Sequence, residues 1–216
     1  MRVDSLNTDQ VKQSFLWAAE TIVKNEPYLT EIDMKIGDGD HGTGMKLGFQ
    51  AVLDELPLRP LDSVESVFQE SGRILLDTMG GASGVLFGTM FISGVIRRKP
   101  SLEFGLSDFA DSFRISLNAI KERGKARVGD KTMVDALEPA VKALEASAGQ
   151  GLDVAEGFRM AAEAARNGVE YTKEIKARFG RAKYYGDQAI GLQDAGATSV
   201  WLIFQAISDW ISNQLI

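Results

Sequence analysis

Three aspartates, Asp33, Asp38 and Asp40, fall within eight residues of the run Asp33-Met-Lys-Ile-Gly37-Asp38-Gly39-Asp40-His41-Gly42-Thr43-Gly44. Carboxylates this close repel one another unless a cation neutralises them. Magnesium takes a few carboxylates and fills its remaining positions with phosphate oxygens and water, and the interspersed glycines would let the chain wrap an ion. A calcium EF-hand fails on register: with Asp38 opening the loop, the glycine comes too early and the twelfth position is Phe49. A solvated acidic turn with an aspartate as helix cap is the other reading, and composition alone leaves both open. The chain has one histidine, His41, and no cysteine. A disulfide framework, a cysteine-ligated zinc and a thiol nucleophile are thereby excluded, and a divalent ion here must be held by oxygens, which favours magnesium or calcium. A lone histidine is commonly structural, but His41 lies in an acidic glycine loop rather than on an apolar face.

Three further glycine clusters carry polar chemistry. Gly80-Gly81-Ala82-Ser83-Gly84 opens an uncharged stretch, and free N–H groups at a helix start attract anions. It is neither a Walker A loop nor a nucleophile elbow, and a glycine-rich packing turn is the plainer alternative. Gly124-Lys-Ala-Arg-Val-Gly129-Asp130-Lys131-Thr132-Met133 offers two glycines and nearby cations, or simply a capped helix start. In Gly180-Arg181-Ala-Lys183-Tyr-Tyr-Gly186-Asp187, Arg181 is suited to clamping a phosphate or neutralising a transferred phosphoryl group. Asp194, ahead of Ala195-Gly196-Ala197-Thr198, is suited to capping the last helix or taking a ligand hydroxyl. An irregular connection held by ordinary hydrogen bonds would look the same.

The elements that must position these clusters read as helices. Val11, Phe15, Ala19, Ile22 and Val23 recur at helical spacing behind the cap candidates Asn7 and Thr8. Asp62 with Glu65 resembles a capping box before Val64, Val67, Phe68, Ile74 and Leu75. Ser107 and Asp130 are candidate caps for helices through Phe109–Ile120 and Met133–Leu144, and further helices are expected over 152–169 and from Gly196 onward. With segments near 44–56 and 84–97 there are eight, and no run alternates as a strand between turn residues. The fold class is all-α, a single domain over residues 1–216 whose glycine-rich connections meet at one end. The stretch 78–96 carries no charge, yet its five glycines point to a buried, closely packed helix rather than a membrane span. With 216 residues, 44% apolar and 25% charged, the chain can bury a sizeable core. Its net charge of −6 opposes binding to a phosphate backbone, so nucleic acid is not an expected partner. No secretory signal opens the sequence, and a soluble, cytoplasmic protein is expected.

Each cluster alone is weak, but in order and spacing DMKIGDGDHG (33–42), GGASGVLFGTMF (80–91), GDKTMVDALEP (129–139) and GRAKYYGDQAIGLQDAGATS (180–199) resemble the nucleotide-binding L subunits of dihydroxyacetone kinases. The resemblance spans almost the whole chain. It implies an antiparallel barrel of eight helices with a nucleotide, ADP or ATP, and two magnesium ions in the loops at one end. By motif, Asp33, Asp38 and Asp40 would be the metal ligands. His41, Gly42, Thr43, Gly44, Ala82, Ser83, Gly124, Met133, Arg181, Asp194, Ala195 and Gly196 would line the nucleotide, with phosphates against the backbone at Gly42, Ala82 and Ser83. Arg181 would be the catalytic phosphate contact. The sequence departs from the family where Asp194-Ala195-Gly196 replaces Asp-Pro-Gly, and Thr43-Gly44 replaces bulkier or amide residues of some relatives. Gly39 matches the form common in ATP-dependent members, and His41 matches separate-subunit members fed by a phosphotransferase system. The implied activity is phosphoryl transfer to a small ketose, typically dihydroxyacetone, bound on a separate K subunit. ADP would then either stay bound and be rephosphorylated by a phosphohistidine donor protein, or give way to freely exchanging ATP. Another ketose such as erythrulose, or an ADP-loaded regulatory module without turnover, are the alternatives; a dimer or hetero-oligomer is expected.

Overall fold

A computed structural model describes residues 2–215. After a short strand, β1 (Ser5–Asn7), the chain forms α1 (Thr8–Lys24), α2 (Glu26–Ile36), α3 (His41–Glu55), α4 (Val64–Thr78) and α5 (Gly81–Ile92). A second strand, β2 (Glu103–Gly105), precedes α6 (Leu106–Gly124), α7 (Val134–Gly149), α8 (Val154–Thr172) and α9 (Ala195–Leu215). Packing follows a closed ring: α1 against α3, then α4, α5, α6, α7, α8 and α9, which returns to α1. These are the eight helices that hydrophobic spacing predicts, closed into a barrel. The ninth, α2, lies outside the ring on α3 and α9.

The barrel is filled rather than hollow. Phe15 meets Phe68 edge-on with ring centroids 4.7 Å apart, and contacts continue through Phe113 (5.9 Å) to Phe204 (5.1 Å). Phe109 and Phe158 meet at 5.2 Å. Edge-to-face pairs of this kind add to the gain from burying aromatic area. The uncharged 78–96 stretch packs as the sequence suggests: a Cβ on Gly72 of α4 would stand 2.8 Å from the Gly88 carbonyl of α5, so the two backbones touch there. No helix among the described residues is long and apolar enough to cross a membrane.

Several local expectations change. The segment before Gly37 is helical: Asn25 ends α1, and Pro27 is placed in the first turn of α2, where its missing N–H costs nothing. The cap of α4 is Ser63 paired with Ser66 (3.1 Å each way), not Asp62 with Glu65. Glu65 is buried instead and accepts from the Ser101 N–H at 2.7 Å. Helix α6 begins one residue before Ser107, and Asp108 accepts from the Gly105 N–H. Asp130 caps no helix; it accepts from Arg127 N–H, and α7 starts later, at Val134. The β1–β2 pair is antiparallel and three residues long on each side, too short to show alternation in the sequence.

Candidate functional site

Because the ring helices alternate in direction, the N-termini of α3, α5, α7 and α9 come to one end. There they surround a cavity of about 480 Å³. His41 reaches it from α3, Ala82 and Ser83 from α5, Met133 and Val134 from the start of α7, and Ala195 and Gly196 from α9. The first N–H groups of a helix have no intrahelical partner and carry the positive end of the dipole. Four of them converging favour a negatively charged group there. Part of the lining is apolar, with Leu86, Phe87, Ile120 and Phe179.

At the mouth, Asp33, Asp38 and Asp40 bring one carboxylate oxygen each within 4.8 Å of the others. Asp33 sits in the last turn of α2, and Asp38 and Asp40 in the turn into α3. Asp33 shapes that turn as well as lining it: its Oδ2 accepts from Gly39 N–H (2.8 Å) and His41 N–H (3.3 Å). The glycines follow from this. A Cβ at Gly37 would overlap the Asp33 carboxylate, and Gly39 has φ +78°, a conformation that side chains disfavour. Arg181 closes the cluster from the α8–α9 connection, its Nε 2.8 Å from Asp38 Oδ2, and Tyr185 donates its hydroxyl to the Gly37 carbonyl at 3.4 Å.

Burial pushes Asp38 upward, but the Arg181 guanidinium and the hydrogen bonds with Asp40 outweigh it and hold Asp38 below the usual carboxylate range. Asp40 goes the other way, raised by burial and then by the Asp38 and Asp33 charges. Three carboxylates with oxygens within 4.8 Å of one another, whose charges oppose each other, fit a hard, oxygen-seeking divalent cation. His41 is held below its ordinary value by burial, against the Asp33 charge, and its Nε2 lies 2.8 Å from Ser199 Oγ. Asp194 is pushed up to about 7, chiefly by burial, with Asp135 and Asp33 adding to it and the Ala197 N–H and Lys131 opposing. Its Oδ2 accepts from Ala197 N–H at 2.7 Å, so it does cap α9.

Of the residues singled out in the sequence, Asp33, His41, Ala82, Ser83, Gly124, Met133, Arg181, Asp194, Ala195 and Gly196 line this one cavity. Asp38 and Asp40 form its rim. Gly42, Thr43 and Gly44 do not line it: Gly42 is buried against Thr30 and Glu26 of α2, Thr43 is exposed, and Gly44 has open space where a Cβ would be. Sequence reasoning missed the apolar lining, since Leu86 and Ile120 look like any core residue in a periodic pattern and Phe179 lies in an irregular connection with no pattern at all. It also missed Ser199 and the role of Lys131, whose only signal was its place in the glycine-bearing 124–133 run.

A DAK2 domain matches residues 35–209. The chain is 36% identical over 204 residues to the ADP-binding subunit of the PEP-dependent dihydroxyacetone kinase of Escherichia coli, covering 94% of this chain and 97% of that one. It is 36% identical over 189 residues to the ADP-binding subunit of PEP-dependent dihydroxyacetone kinase 2 of Listeria innocua, covering 86% and 87%. Among solved structures, the dihydroxyacetone kinase of C. freundii in complex with AMP-PNP and Mg2+ superposes with a TM-score of 0.75 at 25% identity. That match covers 96% of this chain and 35% of the kinase, so the chain spans about a third of that protein.

Proposed function

Because the chain belongs to the DAK2-domain family, we propose that it is the nucleotide-holding subunit of a small-ketose kinase. It would carry ADP or ATP with two magnesium ions and pass a phosphoryl group to a ketose, typically dihydroxyacetone, bound on a separate K subunit. The observation that carries this reading is the convergence of four helix N-termini and three carboxylates on one cavity. Helix N-termini that favour anions beside carboxylates that favour a cation suit a phosphate ligand that comes with a divalent metal.

Asp33, Asp38 and Asp40 would hold the magnesium, which would supply positive charge to neutralise the phosphates. The N–H groups at Ala82 and Ser83 would take the phosphates, and the apolar lining would exclude water around the rest of the nucleotide. Arg181 would stabilise charge on the transferred group, as catalysis of phosphoryl transfer rests on positioning and electrostatics. Neither carboxylates engaged with metal nor a half-buried His41 paired with Ser199 suits deprotonation of a sugar hydroxyl, so the general base would come from the partner. ADP that stays in place would be recharged by a phosphohistidine donor protein in the cytoplasm; freely exchanging ATP is the variant of the same scheme, and erythrulose a variant substrate. Retained Arg181 and the complete carboxylate set favour turnover over a purely regulatory role.

Titration calorimetry of ADP with and without a chelator tests the reading. Binding should require magnesium, and equal affinity in both conditions would remove the metal assignment.

A further inference from the structure

Between α8 and α9 the chain makes an excursion, from Lys173 to Gly191, whose ends are joined by Gly191 N–H donating to the Lys173 carbonyl at 2.7 Å. The neck of this loop is plugged by a side chain from a different loop. Lys131 is 1% exposed, and its Nζ donates to the carbonyls of Thr172 (2.6 Å), Ala189 (2.8 Å) and Leu192, with Ile175 more distant at 3.4 Å. Thr172 and Ile175 belong to the limb entering the excursion, Ala189 and Leu192 to the limb leaving it. One ammonium therefore clamps both limbs at once.

The placement of this lysine is itself constrained. Its backbone has φ +59°, uncommon for a residue with a side chain. The fully buried Asp135 carboxylate fixes the turn on both sides, accepting from Gly129 N–H (2.6 Å) and Thr132 N–H (2.7 Å). A buried ammonium is costly to desolvate, and a methionine would fill the same space without that cost. All four oxygens around Nζ are backbone carbonyls of the excursion or its immediate flanks. Lysine suits the neck because its charge is compact with three donors, whereas arginine presents a planar fork. Beyond the neck the loop is held at separate points, by Arg178 N–H donating to the Asp130 carbonyl at 3.1 Å, by Phe179 against the core and by Tyr185 on Gly37, while Gly180 and Gly186 have positive φ and no atom within 4 Å of a Cβ. At its far end stands Arg181, against Asp38.

We propose that Lys131 is a positioning residue: by closing the neck of the 173–191 loop on both limbs, its ammonium sets where the Arg181 guanidinium stands over the carboxylate cluster. The kinetic part of this inference rests on the phosphoryl-transfer reading above; the structural part does not.

The test compares the unaltered chain with Lys131→Met and Lys131→Gln, each checked for unchanged helix content by circular dichroism. Hydrogen exchange is followed by mass spectrometry, and Mg-ADP affinity and turnover with a K subunit are measured. In Lys131→Met, exchange across 173–191 should speed by about tenfold or more while the ring helices keep their protection. Lys131→Gln, which keeps an N–H donor in the neck, should fall between, and it carries the comparison where the methionine variant does not fold. Turnover should fall by roughly tenfold with ADP affinity changed less than about fivefold. Once Arg181 is also replaced by Ala, the Lys131 substitution should cost nothing more, because both changes remove one function. Unchanged exchange in the loop, or losses that multiply in the double variant, would overturn the proposal. A chain that binds no Mg-ADP at all would defeat the functional reading instead, leaving the exchange result to decide the clamp.

Discussion

Arg181 and Asp194 show how differently two charged residues of one site are tied to the fold. The Arg181 side chain is 70% exposed and pairs with the partly exposed Asp38, so the ion pair contributes less than about 1 kcal/mol to stability. Arg181→Gln should therefore leave the melting temperature nearly unchanged while lowering turnover with a K subunit by roughly 10³-fold, the scale of a charge-stabilising arginine in phosphoryl transfer; a large loss of stability with intact turnover would contradict the assignment. Asp194 is linked to folding through its proton. Its folded value near 7 lies above the ordinary carboxylate value, so the native state holds this proton more tightly than the unfolded chain. The stability it contributes is full below about pH 4 and is lost as pH rises through about 7. In metal-free protein, the advantage of Asp194→Asn over the unaltered chain should grow between pH 5 and 8 by roughly 1–3 kcal/mol, read from denaturant midpoints. His41, shifted the opposite way, is common to both chains and cancels in that difference. Parallel curves would show that Asp194 ionises freely. Both residues were legible in the sequence as polar groups in glycine-rich turns. That Asp194 would hold its proton so tightly was not, because its neighbours Lys131 and Asp135 come from one other segment and Asp33 from a second.

The elements explain which readings survived. Eight hydrophobic stripes, each long enough to show a period near 3.6, correspond to the eight helices of the ring. Helix α2 escaped because it buries only Leu29, Ile32 and Ile36 and runs into the aspartate–glycine turn, whose composition dominates the local reading. As a result Asp33 looked like a loop residue, although its place on a helix end is what lets it hold the Gly39 and His41 N–H groups. Caps were the least legible feature. Ser63 and Asp62 are adjacent and both plausible, and the choice was made by tertiary burial of Glu65 under the Ser101 N–H. Glycines, too, divide by element. Gly72 lies where α4 crosses α5, with a Cβ there 2.5 Å from Ile92 and 2.8 Å from the Gly88 carbonyl, whereas Gly44 in α3 has nothing within 4 Å. Gly72→Val should cost at least about 1–3 kcal/mol by overpacking, and Gly44→Ala should gain up to about 1 kcal/mol from the better helix former. Thermal melts of the two variants should move in opposite directions; a stable Gly72→Val would mean that the α4–α5 crossing can open without penalty.

For the whole molecule the decisive fact is that one end of the barrel gathers everything chemical. Alternating helix direction puts four N-termini together, and the connections that lead into them carry the carboxylates, the Lys131 turn and the Arg181 loop. On the proposed reading, the apolar lining residues would together with the charges at the rim turn a nucleotide's phosphates toward the mouth, where Arg181 and the rim aspartates are exposed. Beside them stand two apolar side chains open to solvent, Met34 at 68% and Tyr184 at 76%, one next to Asp33 in α2 and the other in the Arg181 loop. On the same reading, a phosphoryl group reacting at this open rim would need a second protein to cover it and supply the base. The net charge of −6 gives little long-range attraction to another acidic protein, so docking must depend on this local surface. The chain alone should therefore show no ketose kinase activity, yet should support formation of dihydroxyacetone phosphate when a K subunit and a phosphoryl donor are supplied. Tyr184→Asp should raise the K-subunit concentration needed for half-maximal rate several-fold without altering Mg-ADP affinity, because it changes the covering surface and not the cavity. Product formation by the chain alone would place the ketose site on this polypeptide. An unchanged K-subunit requirement in Tyr184→Asp would move the docking surface away from the Arg181 side of the mouth.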